Sequence, residues 1–344
     1  MNLEQIETEL NSTDYDFLRK NEYLGDNIIL LGLGGSYAYG VEKPDGSSDV
    51  DIRGVSLNSK QEILLGTDFE QVINDPTDTT IYSFNKMIKL LSEFNPNTCE
   101  ILGLKPEHYL HLSPIGKELL DNKKMFLSKK AINKFGGYSN QMLYKATQKS
   151  THAMHQAELE QHILKTLQHM QIDFVGKYTD IPTDGINLFI DKSIQEGYDT
   201  EIFMNVNLSH YPLRDYCSMW NELQNTVKQY AKLGKRNSYA LEHDKMGKHL
   251  MHLIRLNYMC LDILEKEEIV TYRVDEHDLL MDIRNGKYIT EDNQIRSEFF
   301  DLVNDLEKRL DYAAINTSLP DVPDYKKINE FKMDVNERIV RGFI

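Results

Sequence analysis

A strand-and-turn segment at residues 27–55 constrains the fold more than any other part of the sequence. It opens with an apolar run at residues 27–33, rich in isoleucine and leucine, which is typical of a buried strand. Gly34, Gly35 and Ser36 follow at once, and the glycines let the backbone turn tightly and approach a ligand without Cβ interference. If a helix starts at Ser36 or the next residue, its N–H groups and positive dipole end favour phosphate.

A second predicted strand, from about Asp49 to Leu57, carries two carboxylates and follows a polar turn at residues 43–48. Since strand side chains alternate with period two, Asp49 and Asp51 are predicted to point to the same face. Two like charges on one face repel unless a cation lies between them, and a hard ion such as Mg²⁺ prefers carboxylate oxygens. A phosphate-binding turn beside a carboxylate pair indicates metal-assisted phosphoryl or nucleotidyl transfer.

The residues of these two motifs resemble a known signature, that of the polymerase-beta-type nucleotidyltransferase superfamily. The matching residues are Gly34-Gly35-Ser36-Tyr37-Ala38-Tyr39-Gly40 and Ser48-Asp49-Val50-Asp51-Ile52-Arg53-Gly54. Their form is similar to one branch of the superfamily, the predicted nucleotidyltransferases found beside RNA ligases. The resemblance implies that the chain moves an NMP from an NTP to a hydroxyl acceptor and releases pyrophosphate, with two Mg²⁺ ions, or Mn²⁺ in their place.

The resemblance also implies a role for each motif residue. Gly34, Gly35 and Ser36 would bind the phosphates of the nucleotide. Asp49 and Asp51 would be catalytic metal ligands.

Members of the superfamily carry a third acidic residue on a later strand. The first candidate in this chain is Asp78, which leads into a β-branched, aromatic segment predicted to be a strand, Thr79–Ser83. Asp75 and Glu70 are the alternatives. Arg53 is expected either to bind a phosphate or to form a salt bridge with a neighbouring acid.

A second group of candidate residues lies on a predicted helix at about 242–264. Lys248, His252 and Arg255 are spaced four and three residues apart, so they share one face of the helix. Such a group in an acidic protein is expected to bind an anion, and the substrate phosphates are the obvious one. The alternative is a solvated helix face with salt bridges. The opposite face carries five apolar residues: Leu250, Leu253, Ile254, Leu256 and Met259.

The pattern of elements predicts an α+β protein of two domains. Residues 1–105 are expected to form a small mixed-sheet nucleotidyltransferase domain flanked by helices. Residues 106–344 are expected to form a mostly helical domain that closes the nucleotide cleft, with an irregular insert at about 171–218. Short strands are predicted within that insert at 186–190 and 201–208.

Several local patterns predict individual elements outside the two motifs. An amphipathic helix is expected over residues 1–24, a helix over 84–94, and a long helix over 129–170. Asn95 and Asn97 flank a proline after the second of these helices, and they either contact nucleotide or cap a helix break.

Composition sets limits on the class of protein. The net charge of −15 weighs against a tight, non-specific nucleic-acid binder, which needs basic surface. Cys99, Cys217 and Cys260 are widely spaced, which favours buried thiols in a reducing compartment over disulfides or a zinc site. The chain has no long apolar run, and its N-terminus is polar and acidic, so we expect a cytoplasmic location and no membrane contact.

Two other functions remain open from the sequence. One is a non-catalytic module that binds nucleotide or nucleic acid, which the intact pair of aspartates argues against. The other is an enzyme that nucleotidylates protein hydroxyl groups rather than RNA ends. The sequence does not fix the acceptor, the preferred NTP or the oligomeric state.

Overall fold

The computed structural model describes residues 2–43, 46–136, 164, 174, 177–178, 181, 185–192, 194, 200–225, 246–290 and 295–343. The chain forms two compact units. The first unit consists of Met1–Lys134, Tyr258–Asp278 and Leu310–Ile344, and the second of Phe135–Asn257 and Leu279–Arg309. The predicted division into functional domains at residue 105 stays a prediction.

A five-stranded mixed sheet forms the centre of the first unit. Its strands are β1 (Ile28–Gly34), β2 (Asp51–Ser56), β3 (Gln71–Asn74), β4 (Thr79–Ser83) and β5 (Tyr109–Leu112). Their order in the sheet is β3-β4-β2-β1-β5. Strands β2 and β4 are parallel, and the other neighbouring strands are antiparallel. Every residue of β1 is buried, as its apolar run predicts.

Seven α-helices accompany these strands in the described residues up to Asp121. They are α1 (Leu3–Leu10), α2 (Phe17–Lys20), α3 (Gly35–Tyr39), α4 (Lys60–Leu65), α5 (Phe84–Ser92), α6 (Pro96–Cys99) and α7 (Pro114–Asp121). Short 3-10 turns connect several of them, including Asp75–Thr77 and Glu100–Gly103. The mixed sheet and its helices confirm the predicted α+β class.

The later part of the described chain is mostly helical. Residues 213–225 form α8, and four more helices follow: α9 (Met246–Lys266), α10 (His277–Arg284), α11 (Ser297–Asn316) and α12 (Tyr325–Arg341). Helix α12 belongs to the first unit, whereas α9, α10 and α11 each belong in part to both units.

Helix α5 shows how local sequence sets an element and its ends. Ser83 caps its N-terminus by accepting the main-chain N–H of Lys86. Its predicted apolar face is buried, because residues three and four apart share one side of a helix. After α5, the Asn95 side chain accepts the N–H of Asn97 at 3.0 Å, so Asn95 is a helix cap.

Two expectations for the N-terminal region are wrong in detail, and one strand is additional. The helix expected over residues 1–24 is divided into α1, a 3-10 turn at Thr13–Tyr15 and α2, because Asn11 caps α1 and Ser12 is extended. Strand β2 begins at Asp51, which leaves Asp49 outside it. Strand β5 was not expected, since its four residues give a weak pattern and their pairing with β1 defines them.

The second unit contains an antiparallel pair of strands, β6 (Ile186–Lys192) and β7 (Thr200–Val206). Phe189 and Phe203 stack across the pair, with ring centroids 6.0 Å apart. Both strands fall within the region expected to be irregular, close to the short strands predicted there. A small core packs one face of the pair against α8 and comprises Leu164, Phe174, Leu188, Met219 and Leu223. The helix predicted over 129–170 lies mostly outside the described residues.

Two expectations drawn from composition concern membrane-spanning helices and the cysteines. None of the helices in the described ranges is both long and apolar enough to span a bilayer. Cys99 and Cys260 are buried free thiols, and burial raises the pKa of each. Cys217 is a free thiol but is exposed, so the expectation of buried thiols fails for this residue.

Candidate active site

The turn between β1 and α3 lies directly against Asp51. Gly34, the last residue of β1, pairs with Asp51, the first residue of β2. Gly35 has a φ of 55°, in the left-handed region that side chains disfavour. A Cβ atom on Gly35 would lie 1.7 Å from Oδ2 of Asp51. The glycine therefore makes room for the carboxylate, and the two motifs meet at one point.

Arg53 connects Asp51 with Asp78. Its Nη2 atom lies 3.3 Å from Oδ1 of Asp51 and 3.3 Å from Oδ1 of Asp78. Its Nη1 atom donates to the main-chain oxygen of Asp78 at 2.6 Å and to that of Ile52 at 3.0 Å. One guanidinium thus faces two carboxylates, one at the start of β2 and one directly before β4.

Sheet register explains why these two acids are close. Strands β2 and β4 run parallel with Ile52 opposite Thr79, so the residues that precede this pair, Asp51 and Asp78, lie at the same end. The N–H of Ile52 donates to the main-chain oxygen of Asp78 at 3.2 Å. Asp78 has a φ of 43°, a backbone conformation that Asp adopts more readily than most residues.

The two alternatives for the third acid occupy other places. Glu70 lies at the opposite end of β4, where its main-chain oxygen accepts the N–H of Ser83 at 3.0 Å. The Lys86 ammonium, 2.8 Å away, lowers the pKa of the Glu70 carboxyl. Asp75 opens the 3-10 turn before Asp78. Of the three candidates, Asp78 alone shares a cation with Asp51 through contacts in the described chain.

The structure changes the argument for Asp49. It is exposed and precedes β2, whereas the Asp51 side chain is only 18% exposed. Alternation within one strand therefore does not apply to this pair, and that reason for placing both side chains on one face is wrong. Asp49 remains a candidate through its position next to the strand.

The donor set can be compared with what a metal ion needs. No group of three or more His, Cys, Asp or Glu side chains in the described parts of the chain is arranged to hold a metal ion. Asp51 and Asp78 do converge, and their carboxylate oxygens are the donors that Mg²⁺ and Mn²⁺ prefer. The two carboxylates could supply some of the ligands of such an ion, and in this structure Arg53 offsets their negative charge.

Helix α3 is anchored by long-range contacts that the sequence does not predict. The Tyr39 hydroxyl donates to the buried carboxylate of Glu100 at 2.6 Å. The Tyr272 ring packs so closely on Gly40 that a Cβ there would lie 2.6 Å from it. The main-chain N–H of Arg273 donates to the main-chain oxygen of Tyr39 at 3.0 Å. These partners are far apart in sequence, so no local pattern shows that they meet.

The cationic residues of α9 differ in exposure. Lys248 is exposed, His252 is partly buried, and Arg255 is only 3% exposed. Burial lowers the pKa of His252 well below its ordinary value, and the charges of Arg255 and Lys248 lower it further. His252 is therefore neutral at pH 7, and Arg255 is not part of a solvated face.

The mixed sheet, the glycine turn against Asp51 and the aspartate directly before the parallel neighbour strand define a polymerase-beta-like nucleotidyltransferase fold. Residues 1–179 match the RNA repair pathway DNA polymerase beta family, and the chain belongs to that family. This match confirms the resemblance seen in the motifs. No curated protein and no solved structure matches the chain.

Proposed function

We propose that this protein is a metal-dependent nucleotidyltransferase that moves an NMP from an NTP to a hydroxyl group at an RNA end and releases pyrophosphate. One observation carries the proposal. The Asp51 carboxylate is packed against Gly35 in the turn after β1 and is joined through Arg53 to Asp78. A main-chain turn that fits phosphate and a pair of acids that fit a divalent ion thus lie side by side.

The residues of the turn have the task of holding the nucleotide. The N–H groups of Gly35 and Ser36 belong to the first turn of α3, where helix bonding does not use them, and they are proposed to donate to phosphate oxygens. Gly34 lets the side chains of Arg53 and Asp51 pack closely against the turn, because a Cβ there would lie 3.1 Å from atoms of both. The Ser36 hydroxyl is a further donor.

The acids have the task of organising the reaction. Asp49, Asp51 and Asp78 are proposed to hold Mg²⁺ or Mn²⁺, which when bound would offset the charge of the phosphates and of the departing pyrophosphate. The acceptor oxygen forms a bond to the α-phosphorus while the bond between that phosphorus and the pyrophosphate oxygen breaks. Asp78, with a side chain 57% exposed, is open to an acceptor and is proposed to take the hydroxyl proton.

Phosphate binding is also the proposed role of the α9 cations. Arg255 offers a planar fork and Lys248 a point charge, both suited to phosphate oxygens. His252 is neutral at pH 7 and so offers a hydrogen bond rather than a charge.

An RNA acceptor is favoured over a protein acceptor by the family description, which places its members in an RNA repair pathway. The net charge of −15 gives little help in binding long RNA non-specifically. We therefore propose that the enzyme acts on an RNA end rather than along an RNA chain.

Incubation with each α-labelled NTP and Mg²⁺, together with an RNA oligonucleotide bearing a 3′-hydroxyl and a protein mixture, tests this proposal. Label should enter the RNA, and Asp51→Asn should prevent it, while the control variant Asp75→Asn should leave it intact. Label in the protein fraction would favour protein nucleotidylation instead. Nucleotide binding with no release of pyrophosphate from any NTP would favour a non-catalytic module.

A further inference from the structure

Arg53 is bound in two different ways at the two sides of its guanidinium group. On one side, Nη1 donates to the main-chain oxygens of Ile52 and Asp78, at 3.0 Å and 2.6 Å. On the other side, Nη2 faces the carboxylates of Asp51 and Asp78, each at 3.3 Å. The main-chain contacts fix the position of the group, and the carboxylate contacts place it between two proposed metal ligands.

The two sides also differ in strength. A hydrogen bond of 2.6 Å from a charged donor is short, whereas 3.3 Å is beyond the usual range for such bonds. The Asp78 side chain is 57% exposed, and an ion pair with so much solvent contact contributes little to stability. Nη2 can therefore exchange its carboxylates for another anion while Nη1 stays on the main chain.

A divalent cation held by Asp51 and Asp78 would replace Nη2 as their counter-charge, and like charges at so short a distance repel. We propose that Arg53 is an internal counter-ion. It neutralises Asp51 and Asp78 in the ligand-free protein, releases them when a metal-nucleotide complex binds, and then binds a phosphate oxygen with the released nitrogen. This inference rests on the proposed function and deepens it by assigning Arg53 two successive partners.

The counter-ion role of Arg53 couples the binding of metal to the binding of nucleotide. A metal ion that binds without nucleotide competes with Arg53 and leaves Nη2 without an anion. A nucleotide phosphate supplies that anion, so metal and nucleotide each strengthen the binding of the other by the same factor.

Mn²⁺ binding, measured by the electron paramagnetic resonance signal of the free ion, tests the inference without any turnover. In the absence of nucleotide, Arg53→Gln should bind Mn²⁺ about three- to tenfold more tightly than the wild type, since the competing charge is gone. With Mn²⁺ and a non-hydrolysable NTP, the same variant should bind the nucleotide about tenfold more weakly, since a phosphate ligand is gone.

Arg19 provides a matched control. Like Arg53, it donates to two main-chain oxygens, those of Leu10 and Ser12, and it also pairs with the Asp16 carboxylate at 2.9 Å. Arg19→Gln removes the same kinds of contact away from the glycine turn. It should change neither Mn²⁺ affinity nor nucleotide affinity.

Unchanged or weaker Mn²⁺ binding by Arg53→Gln would give Arg53 a purely structural role. If Arg53→Gln folds but binds Mn²⁺ no more tightly than the wild type, the counter-ion role is wrong. If that variant does not fold, Arg53→Met serves instead, because methionine also removes the charge while keeping an unbranched side chain of similar width, and the same tightening is then required of it.

A different Mn²⁺ binding result would overturn the proposed function itself. Mn²⁺ binding that Asp51→Asn leaves unchanged, in both the wild type and the Arg53→Gln background, would place the ion elsewhere. That result would overturn the metal site and with it the counter-ion role of Arg53.

Discussion

The two ends of the parallel strands β2 and β4 use their polar residues differently. At the end where the strands begin, Asp51 and Asp78 face a shared guanidinium group and keep part of their surface in solvent. At the end where they finish, Ser56 and Ser83 are fully buried. Both ends belong to the same two strands, so the contrast lies in the chemistry of the flanking residues.

At the finishing end, the hydroxyl groups serve the main chain. Ser56 donates to the main-chain oxygen of Tyr23 at 2.6 Å. Ser83 accepts the main-chain N–H of Lys86 at 3.2 Å and so caps α5. These bonds satisfy groups that burial would otherwise leave without a partner.

The comparison separates polar groups that complete the fold from polar groups that are available to a ligand. A fully buried hydroxyl bonded to the main chain is out of reach of a substrate. A carboxylate that shares a cation at 3.3 Å and remains in contact with solvent can exchange that cation for another. We therefore propose that the chemistry takes place at the starting end, whereas the polar groups of the finishing end stabilise the fold.

The largest expected effect is that of Asp51→Asn on transfer. This variant keeps the shape of the side chain but removes the charge beside Gly35, and loss of one such electrostatic contact lowers turnover about 10²- to 10³-fold. The free energy of unfolding should change by less than about 1 kcal/mol, because the pair with Arg53 is long and partly solvated. Turnover with labelled NTP and a thermal melt measure the two effects, and normal turnover would remove Asp51 from the site.

Gly35→Ala should have the next largest effect, and Gly66→Ala is its matched control. Both glycines have positive φ, but nothing lies within 4 Å of a Cβ on Gly66, whereas a Cβ on Gly35 would meet Asp51. In the control variant, the free energy of unfolding should fall by only about 1–2 kcal/mol, the cost of placing a side chain in the left-handed backbone region. In Gly35→Ala, the free energy of unfolding should fall further, and NTP binding should also weaken.

A double variant isolates the contact between the turn and the acid. Asp51→Ala removes the carboxylate that a Cβ on Gly35 would meet and leaves the Asp51 Cβ at 3.3 Å. Gly35→Ala should therefore destabilise the Asp51→Ala background about as little as Gly66→Ala destabilises the wild type. Equal losses from Gly35→Ala in both backgrounds would mean that the turn and the carboxylate are not coupled.

Ser83→Ala tests the finishing end of the strands. Loss of this cap should lower the free energy of unfolding by about 1 kcal/mol, because the first turn of α5 loses its side-chain acceptor. Nucleotidyl transfer at a temperature well below the melt should stay at the wild-type rate. A selective loss of transfer without a loss of stability would show that the two ends are not functionally separate.

The smallest expected effect is that of Lys248→Ala, outside the strand pair. Lys248 is exposed, so its truncation should change the free energy of unfolding by less than about 0.5 kcal/mol. If it binds a nucleotide phosphate, the dissociation constant of the NTP should rise about three- to tenfold. Titration with a fluorescent NTP measures this change, and Lys326→Ala, another exposed lysine, should leave the constant unaltered.

Much of the site could be predicted because its signals are local. The apolar run of β1, the glycines after it and the acid at the start of β2 each follow from a few neighbouring residues, and the structure brings Gly35 and Asp51 into contact. The choice of Asp78 also came from local sequence, as the residue before a β-branched strand.

The rest depends on register, which local sequence does not contain. The link from Asp51 through Arg53 to Asp78 exists because β2 and β4 are parallel with a particular alignment. The start of β2 at Asp51 rather than Asp49 also follows from its pairing, in this case with Gly34. The bond from Tyr39 to Glu100 joins segments 61 residues apart, which no periodic pattern predicts.

The central claim is that a divalent cation and the nucleotide phosphates bind where Gly35, Asp51 and Asp78 meet. Anomalous diffraction from crystals of the protein with Mn²⁺ and a non-hydrolysable NTP tests it most directly. We predict a manganese peak about 2.2 Å from carboxylate oxygens of Asp51 and Asp78, with the triphosphate against the turn at Gly35. Manganese bound elsewhere, with the triphosphate away from Gly35, would contradict it.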